Sequence, residues 1–394
     1  MNLRSLKNPF ELNDLFNQED GLIPVDQVIA KNKSIVSECA ALSLDVYRDA
    51  GRPPLPHGWT LFKYKEYSTG YAGACYVKNH PHPTHIVIAH RGTVPTSLPD
   101  LLDDYVLAIN AIPLLHYKSM SDFFSLVSKK LYEVTYSREI LKNTVFVVTG
   151  HSLGAVLADL TGTLANFYPT ITFENPGTKK MIKQGYKNMG ATDKEIAVVL
   201  SVLNQTCRTY QAGVNLINTC NEQLGRTFRI QDVIYKWPNI LEFPMSSSFA
   251  LNKFYMTHYS LDQHSIDKIA DQLKSNYQAI EISNPIGFKA GYIEYLDKSH
   301  KDYWKKYFDI MWDNNPGKTP EFYDNFIKYC FNELEKIQKE AMGINLMIEN
   351  LPSLNNSSTL FGKRDKQVDD IINEFVVIER PDISNESASR CTIL

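Results

Sequence analysis

The sequence predicts an α/β fold: a mostly parallel central sheet flanked by helices, followed by a helical C-terminal region. Three observations carry that expectation. Short apolar runs rich in β-branched residues recur along the first two thirds of the chain, each bounded by turn residues. Stretches with helical spacing separate them. The run Val145 to Val148 is apolar at successive positions, without alternation, as a central strand covered on both faces requires. Strands alternating with helices make a parallel sheet.

Taken in order, residues 25–50 place apolar side chains at helical spacing, so a helix precedes the sheet. YAGACYV at 71–77 and THIVIAH at 84–90 read as buried strands, and TVFVVTG at 144–150 is a third. SLGAVLADLTGTLANFY at 152–168 reads as a helix with small residues on its packed face. ITFENPG at 171–177 and TFRIQDV at 227–233 read as further strands, the second ending at an acid. The mixed segment between Gly177 and Arg226 reads as an insertion of helices near the rim of the sheet. Residues 288–351 are helix-like and rich in Tyr, Trp and Lys, and 352–394 turn polar and read as a flexible tail. The expected division is therefore 1–287 as the folded catalytic unit, 288–351 as a helical extension and 352–394 as the tail.

Composition narrows the function. The 394 residues are 43% hydrophobic, enough for a sizeable core. With 41 basic and 44 acidic residues the net charge is −3, which gives no footprint for nucleic acid and no pull towards an anionic membrane. The N-terminal segment has no uninterrupted apolar run, so a secretory signal is not expected. No stretch approaches the roughly 18 apolar residues of a spanning helix. The six cysteines form no CxxC pair, which argues against zinc and for reduced thiols.

Gly150-His151-Ser152-Leu153-Gly154 matches G-x-S-x-G, with an apolar strand before it and an Ala/Leu-rich helix after it. A serine nucleophile there must sit on a tight, strained turn, and bulky neighbours would clash. The helix N-terminus aims its free N–H groups at the reacting carbonyl, with Leu153 N–H as the first oxyanion donor. Upstream, HIVIAH ends in Arg91-Gly92-Thr93, and Thr93 is placed to supply the second donor. The plain alternative for each is an ordinary strand-to-loop junction.

A serine needs a base, and the base needs a carboxylate, in the order Ser, acid, His. Asp232 follows the strand TFRI and precedes Val233 and Pro238. His264 sits just before an amphipathic helix starting near Ser265 and is favoured as the base over His258. His151 reads as structural or substrate-lining, and His90 precedes Ser152, the wrong order for a base. The segment between Thr93 and Ser125, with Pro113 inside it, reads either as a lid or as a core-packing helix broken at the proline.

RGT at 91–93, GHSLGA at 150–155, TFENPG at 172–177 and QDVIYKWP at 231–238 together resemble the class 3 lipase family, over roughly residues 60–270. The resemblance implies an α/β-hydrolase fold and hydrolysis of acyl esters, commonly acylglycerols or phospholipids, with no metal or organic cofactor. Departures are the ENPG run in place of a glycine after TF, a longer interval from Gly177 to Asp232, and the helical C-terminal region. A non-lipid esterase or acyltransferase, and a non-catalytic membrane-binding module on the same fold, are the rival readings.

The chain ends Cys391-Thr392-Ile393-Leu394, a C-a-a-X pattern whose final Leu favours geranylgeranylation of Cys391. The expected location is cytoplasmic, peripheral on membranes if Cys391 is prenylated. That requires a eukaryotic cell, or a host cell if the chain is a bacterial effector.

Overall fold

A computed structural model describes residues 23–47, 53–92, 112–131, 136–164, 167–188, 190–215, 217–230, 264–274, 277–283 and 286. Its centre is one sheet of eight strands whose spatial order is their sequence order. They are β1 (Trp59–Glu66), β2 (Ala72–Lys78), β3 (His85–His90), β4 (Val145–His151), β5 (Thr170–Phe173), β6 (Cys207–Gln211), β7 (Arg226–Ile230) and β8 (Ala279–Ile282). β1, β2 and β3 pair antiparallel, β3 through β7 run parallel, and β8 returns antiparallel to β7. The α/β class is therefore as expected.

Parallel neighbours need crossovers, and helices supply most of them. Among the described residues two helices precede the sheet, α1 (Val25–Lys31) and α2 (Ile35–Asp45). Between β3 and β4 come α3 (Ile112–Lys129) and α4 (Arg138–Lys142), and α5 (Leu153–Leu164) joins β4 to β5. α6 (Lys179–Asn188) and α7 (Asp193–Thr206) join β5 to β6, and α8 (Ile266–Lys274) precedes β8. The layering follows from strand alternation. Cys75, Val77, Ile86, Ile88, Phe146 and Val148 point to one face, under Phe123 and Val127 of α3 and Leu157 of α5. Ala74, Tyr76, Val87, Ala89 and Val147 point to the other, under Ile35 and Leu42 of α2 and Ile269 of α8.

Several expectations need correction. The single first helix is two, parted at Asn32, which adopts an extended φ of −131° and ends α1. The described part of α3 starts at Ile112 and runs on past Pro113 without interruption. Met120, Phe123, Phe124 and Val127 of α3 are buried, so this part of the lid candidate is core; residues 93–111 lie outside the described residues.

The segment from Gly177 to Arg226 is more than an insertion of helices. It contains α6, α7 and β6, an inner strand of the sheet. β6 reads polar because its side chains are satisfied by distant partners. Arg208 Nη2 and Nε donate to Asp26 of α1 at 2.6 and 2.9 Å, and Thr209 bonds Thr172 of β5 at 2.9 Å. The start of α7 is closed locally: Thr192 Oγ1 accepts from Glu195 N at 3.3 Å while Glu195 Oε2 accepts from Thr192 N at 2.8 Å. Cys39, Cys75 and Cys207 are free thiols. No helix of the described residues is long and apolar enough to cross a membrane. The region from 288 onward, including the expected helical extension and tail, lies outside them.

Candidate active site

β4 ends at His151, Ser152 follows with φ +58°, and α5 begins at Leu153. A non-glycine residue in the left-handed region costs roughly 1–2 kcal/mol, so the turn is held against its own preference. Close packing holds it. A Cβ on Gly150 would lie 2.1 Å from the Gly154 carbonyl oxygen, and one on Gly154 would lie 2.1 Å from that of His90. The two glycines of the motif are thus required by the approach of α5 to β3 and β4. Ser152 N–H donates to the Phe173 carbonyl at 3.1 Å, tying the turn to β5. Leu153 is the first residue of α5, so its N–H has no acceptor within the helix.

The loop after β3 lies against this turn. A Cβ on Gly92 would meet the His151 carbonyl oxygen at 2.7 Å and Ser152 Cβ at 3.3 Å. Arg91 fixes the loop from behind: its Nη2 donates to Glu66 Oε1 at 2.8 Å and to the Gly70 carbonyl at 3.1 Å. Thr93, the expected second oxyanion donor, lies outside the described residues.

His264 lies two residues before α8 and is buried against His151 of the elbow. Its ring centroid is 4.7 Å from that of His151, and its carbonyl oxygen lies 2.7 Å from His151 Nε2. A carbonyl only accepts, so His151 carries its proton on Nε2, and its Nδ1 accepts from the Tyr47 hydroxyl at 3.0 Å. Burial, with His264 close by as the smaller cause, pushes the His151 pKa well below its ordinary value. His151 is therefore a neutral strut that pins the His264 backbone to the elbow. Neither ring nitrogen of His264 has a hydrogen-bond partner among the described residues.

Among the described residues one carboxylate approaches that ring. Glu174 Oε2 lies 3.5 Å from His264 Nδ1. Glu174 is fully buried, follows β5 directly and has φ +49°. Its Oε1 accepts from Ala212 N–H at 2.5 Å, and its Oε2 accepts from Asn215 Nδ2 at 2.6 Å and Asn218 Nδ2 at 2.8 Å. Glu174 is not among the residues expected from the sequence, where ENPG stands only as a departure from the family pattern. An acid at the end of the strand after the elbow helix was the available signal.

Of the expected residues, the structure brings Gly150, His151, Ser152, Leu153, Gly154 and His264 together. Asp232, two residues beyond the end of β7, and His258 lie outside the described residues. His90 is closed as a base. Its Nδ1 bonds the Tyr71 hydroxyl at 2.8 Å, its Nε2 bonds Thr161 Oγ1 at 3.0 Å, and burial pushes its pKa down to about 3. Among the described residues no cluster of three His, Cys, Asp or Glu side chains could hold a metal ion.

No protein-family model matches the chain. The uncharacterised protein RP165 of Rickettsia prowazekii is 28% identical over 220 residues, which is 55% of this chain and 55% of that protein. The chain thus spans about half the length of that curated relative. Among solved structures, a mutant form of MDLA from Penicillium cyclopium is 16% identical, with 53% of this chain and 81% of that one covered at a TM-score of 0.35. The mono- and diacylglycerol lipase of Aspergillus oryzae is 17% identical, with 50% and 77% covered at a TM-score of 0.32. The Rhizomucor miehei lipase is 15% identical, with 51% and 69% covered at 0.29.

Proposed function

We propose that the chain is a serine ester hydrolase acting on lipids, a lipase or phospholipase of the A type, working at a membrane surface. The observation that carries this is the strained Ser152 at the junction of β4 and α5, with the buried His264 ring 4.7 Å from that of His151, the residue before Ser152. Ser152 Oγ attacks the ester carbonyl while His264 Nε2 takes its proton. Leu153 N–H, with Thr93, receives the oxyanion. The protonated His264 then gives its proton to the leaving alcohol, leaving an acyl-enzyme that water hydrolyses by the same steps. His264 needs a carboxylate to hold its tautomer. The family resemblance supports Asp232 for that role, and Glu174 Oε2 lies 3.5 Å from the Nδ1 of the ring. The mechanism as written uses no metal or organic cofactor.

Membrane recruitment rests on the C-terminal Cys391-Thr392-Ile393-Leu394. A prenyl group on Cys391 supplies one apolar anchor, and the hydrolase surface supplies the second contact that stable attachment needs. The location this gives is the cytoplasmic face of membranes in a eukaryotic cell, or in a host cell for a bacterial effector.

The test is Ser152→Ala. Hydrolysis of a soluble ester should fall by on the order of 10⁴–10⁶ and fluorophosphonate labelling should vanish, with the thermal melt unchanged. Members of a triad act as a unit, so His264→Ala should cost a similar factor. If His258→Ala costs more than His264→Ala, the base is reassigned. Continued labelling of the Ser152→Ala protein would overturn the assignment of the nucleophile. Lipid mass spectrometry on mixed membranes incubated with wild-type and Ser152→Ala protein identifies the substrate.

A further inference from the structure

We propose that Glu174 is the positioning carboxylate of this site, accepting the Nδ1–H of His264, and that the loop 212–218 exists to hold it. The inference rests on the reading of Ser152 as nucleophile and His264 as base. It keeps the order Ser, acid, His but departs from the sequence expectation, which assigns the acid to Asp232.

Sheet register is the first support. β4 and β5 are parallel neighbours with His151 opposite Phe173. Ser152 is the residue after the first and Glu174 the residue after the second, so the two leave the same edge of the sheet side by side. Both have positive φ, +58° and +49°. Neither is a glycine, and strain of this kind persists only where surrounding structure over-determines it. The Glu174 backbone is held by its N–H donating to the Tyr210 carbonyl at 3.0 Å, on β6.

The second support is the cradle. A fully buried carboxylate is costly unless donors meet it. Here three do, and two of them are side chains braced by one another. Asn215 Oδ1 accepts from Ile217 N at 3.0 Å and Asn218 N at 2.9 Å, while Asn218 Oδ1 accepts from Asn215 N at 3.1 Å. This leaves both amide Nδ2 groups aimed at Glu174 Oε2. The same oxygen is the one 3.5 Å from His264 Nδ1. A carboxylate needed only to tie the loop to β5 would have no reason to face an imidazole whose nitrogens have no hydrogen-bond partner among the described residues.

The third is tautomer control. With Nδ1–H directed at Glu174, Nε2 is left as the acceptor for the Ser152 proton, as a general base requires. The groups of described position that face His264 are Glu174 from the end of β5 and His151 from the elbow. His151 turns its Nε2–H to the His264 carbonyl, so of these two groups Glu174 is the one placed to accept from Nδ1.

The experiment compares Glu174→Gln, Glu174→Asp and Asp232→Asn in the full chain with a soluble ester. The readouts are kcat, KM, the pH profile of kcat/KM and the thermal melt. Glu174→Gln should lower kcat about 10²–10⁴-fold with little change in KM. Losing the carboxylate makes the imidazolium harder to form, so the acid limb of the profile should move down by about one pH unit or more. Glu174→Asp, one methylene shorter, should restore part of kcat and return the limb towards its wild-type position. The limb should stay in place in Asp232→Asn. The reverse result, an unmoved limb in Glu174→Gln with a moved one in Asp232→Asn, overturns the proposal. If Glu174→Gln does not fold, the downfield Nδ1 proton of His264, read by NMR on Asp232→Asn protein, decides: its retention supports Glu174 and its loss assigns the role to Asp232. Ser152→Ala separates the two levels. If that variant stays active, the reading of the site fails. If it is dead while Glu174→Gln is active with its limb unmoved, only the Glu174 proposal fails.

Discussion

Single buried polar residues do much of the positioning around the elbow, and Asp159 shows what one of them costs. It lies on α5, and its Oδ2 accepts from Asn175 Nδ2 at 2.8 Å and Thr178 Oγ1 at 2.5 Å. These bonds pin the loop after β5 that also carries Glu174. Burial is the larger influence, and it pushes the Asp159 carboxyl up from an ordinary 3.8 to about 7. The native state therefore holds a proton that the unfolded chain releases near 3.8. Where the native state binds more protons, stability falls as pH rises. The contribution of Asp159 should be full below about pH 4 and should decline through pH 7. Urea unfolding checks this. The stability of wild-type protein relative to Asp159→Asn protein, whose amide does not titrate, should fall between about pH 4 and pH 8. A difference that stays constant across that range would refute it.

At the scale of elements, α8 links stability to the site. Its buried residues Ile266, Ile269, Ala270 and Leu273 are spaced three and four apart and pack against α2. His264 sits two residues before this helix, so docking α8 also fixes the ring. Ile269 is fully buried, and Ile269→Ala should cost roughly 2–5 kcal/mol, read as a lower denaturant midpoint. Because the helix positions His264, kcat should fall as well at temperatures where the variant is still folded. Full activity in a strongly destabilised Ile269→Ala protein would separate α8 from the site. β6 shows the opposite kind of element, a strand whose place depends on polar partners. Arg208 is almost fully buried yet bonded to Asp26, and that bond holds the Asp26 carboxyl below its ordinary value.

For the whole molecule, the proposed anchor at Cys391 and the proposed chemistry at Ser152 and His264 lie far apart in the sequence, and they should separate experimentally. Cys391→Ser should move the protein from membranes to cytosol in a eukaryotic cell, since a prenyl chain contributes about 0.8 kcal/mol per buried CH₂. Turnover of a soluble ester should be unchanged, while hydrolysis of membrane lipids in the same cells should fall through lost local concentration. Intact-mass measurement on protein recovered from those cells is the direct check. An unmodified mass, together with wild-type localisation of the Cys391→Ser protein, would remove the anchor and leave a hydrolase that finds its substrate by its own surface.

Local chemistry made some of this protein legible without coordinates. The unalternating Val145–Val148 run marked an inner strand, and the glycines about Ser152 marked a tight strand-to-helix turn, because both are properties of neighbours in sequence. The helix following His264 was visible in the spacing of Ile266, Ile269 and Leu273 for the same reason. β6 was not visible, because a strand reading CRTYQ is polar in isolation and becomes inner only when Asp26 and Thr172 meet its side chains. Glu174 was not visible as a partner of His264 for a related reason. Ninety residues of chain separate the two, and only the parallel register of β4 and β5, the folded loop 212–218 and the docking of α8 bring that carboxylate to that ring. Sequence by itself determined which residues could react; tertiary structure decided which of them meet, because a contact across a sheet depends on register and packing that no local run of residues encodes.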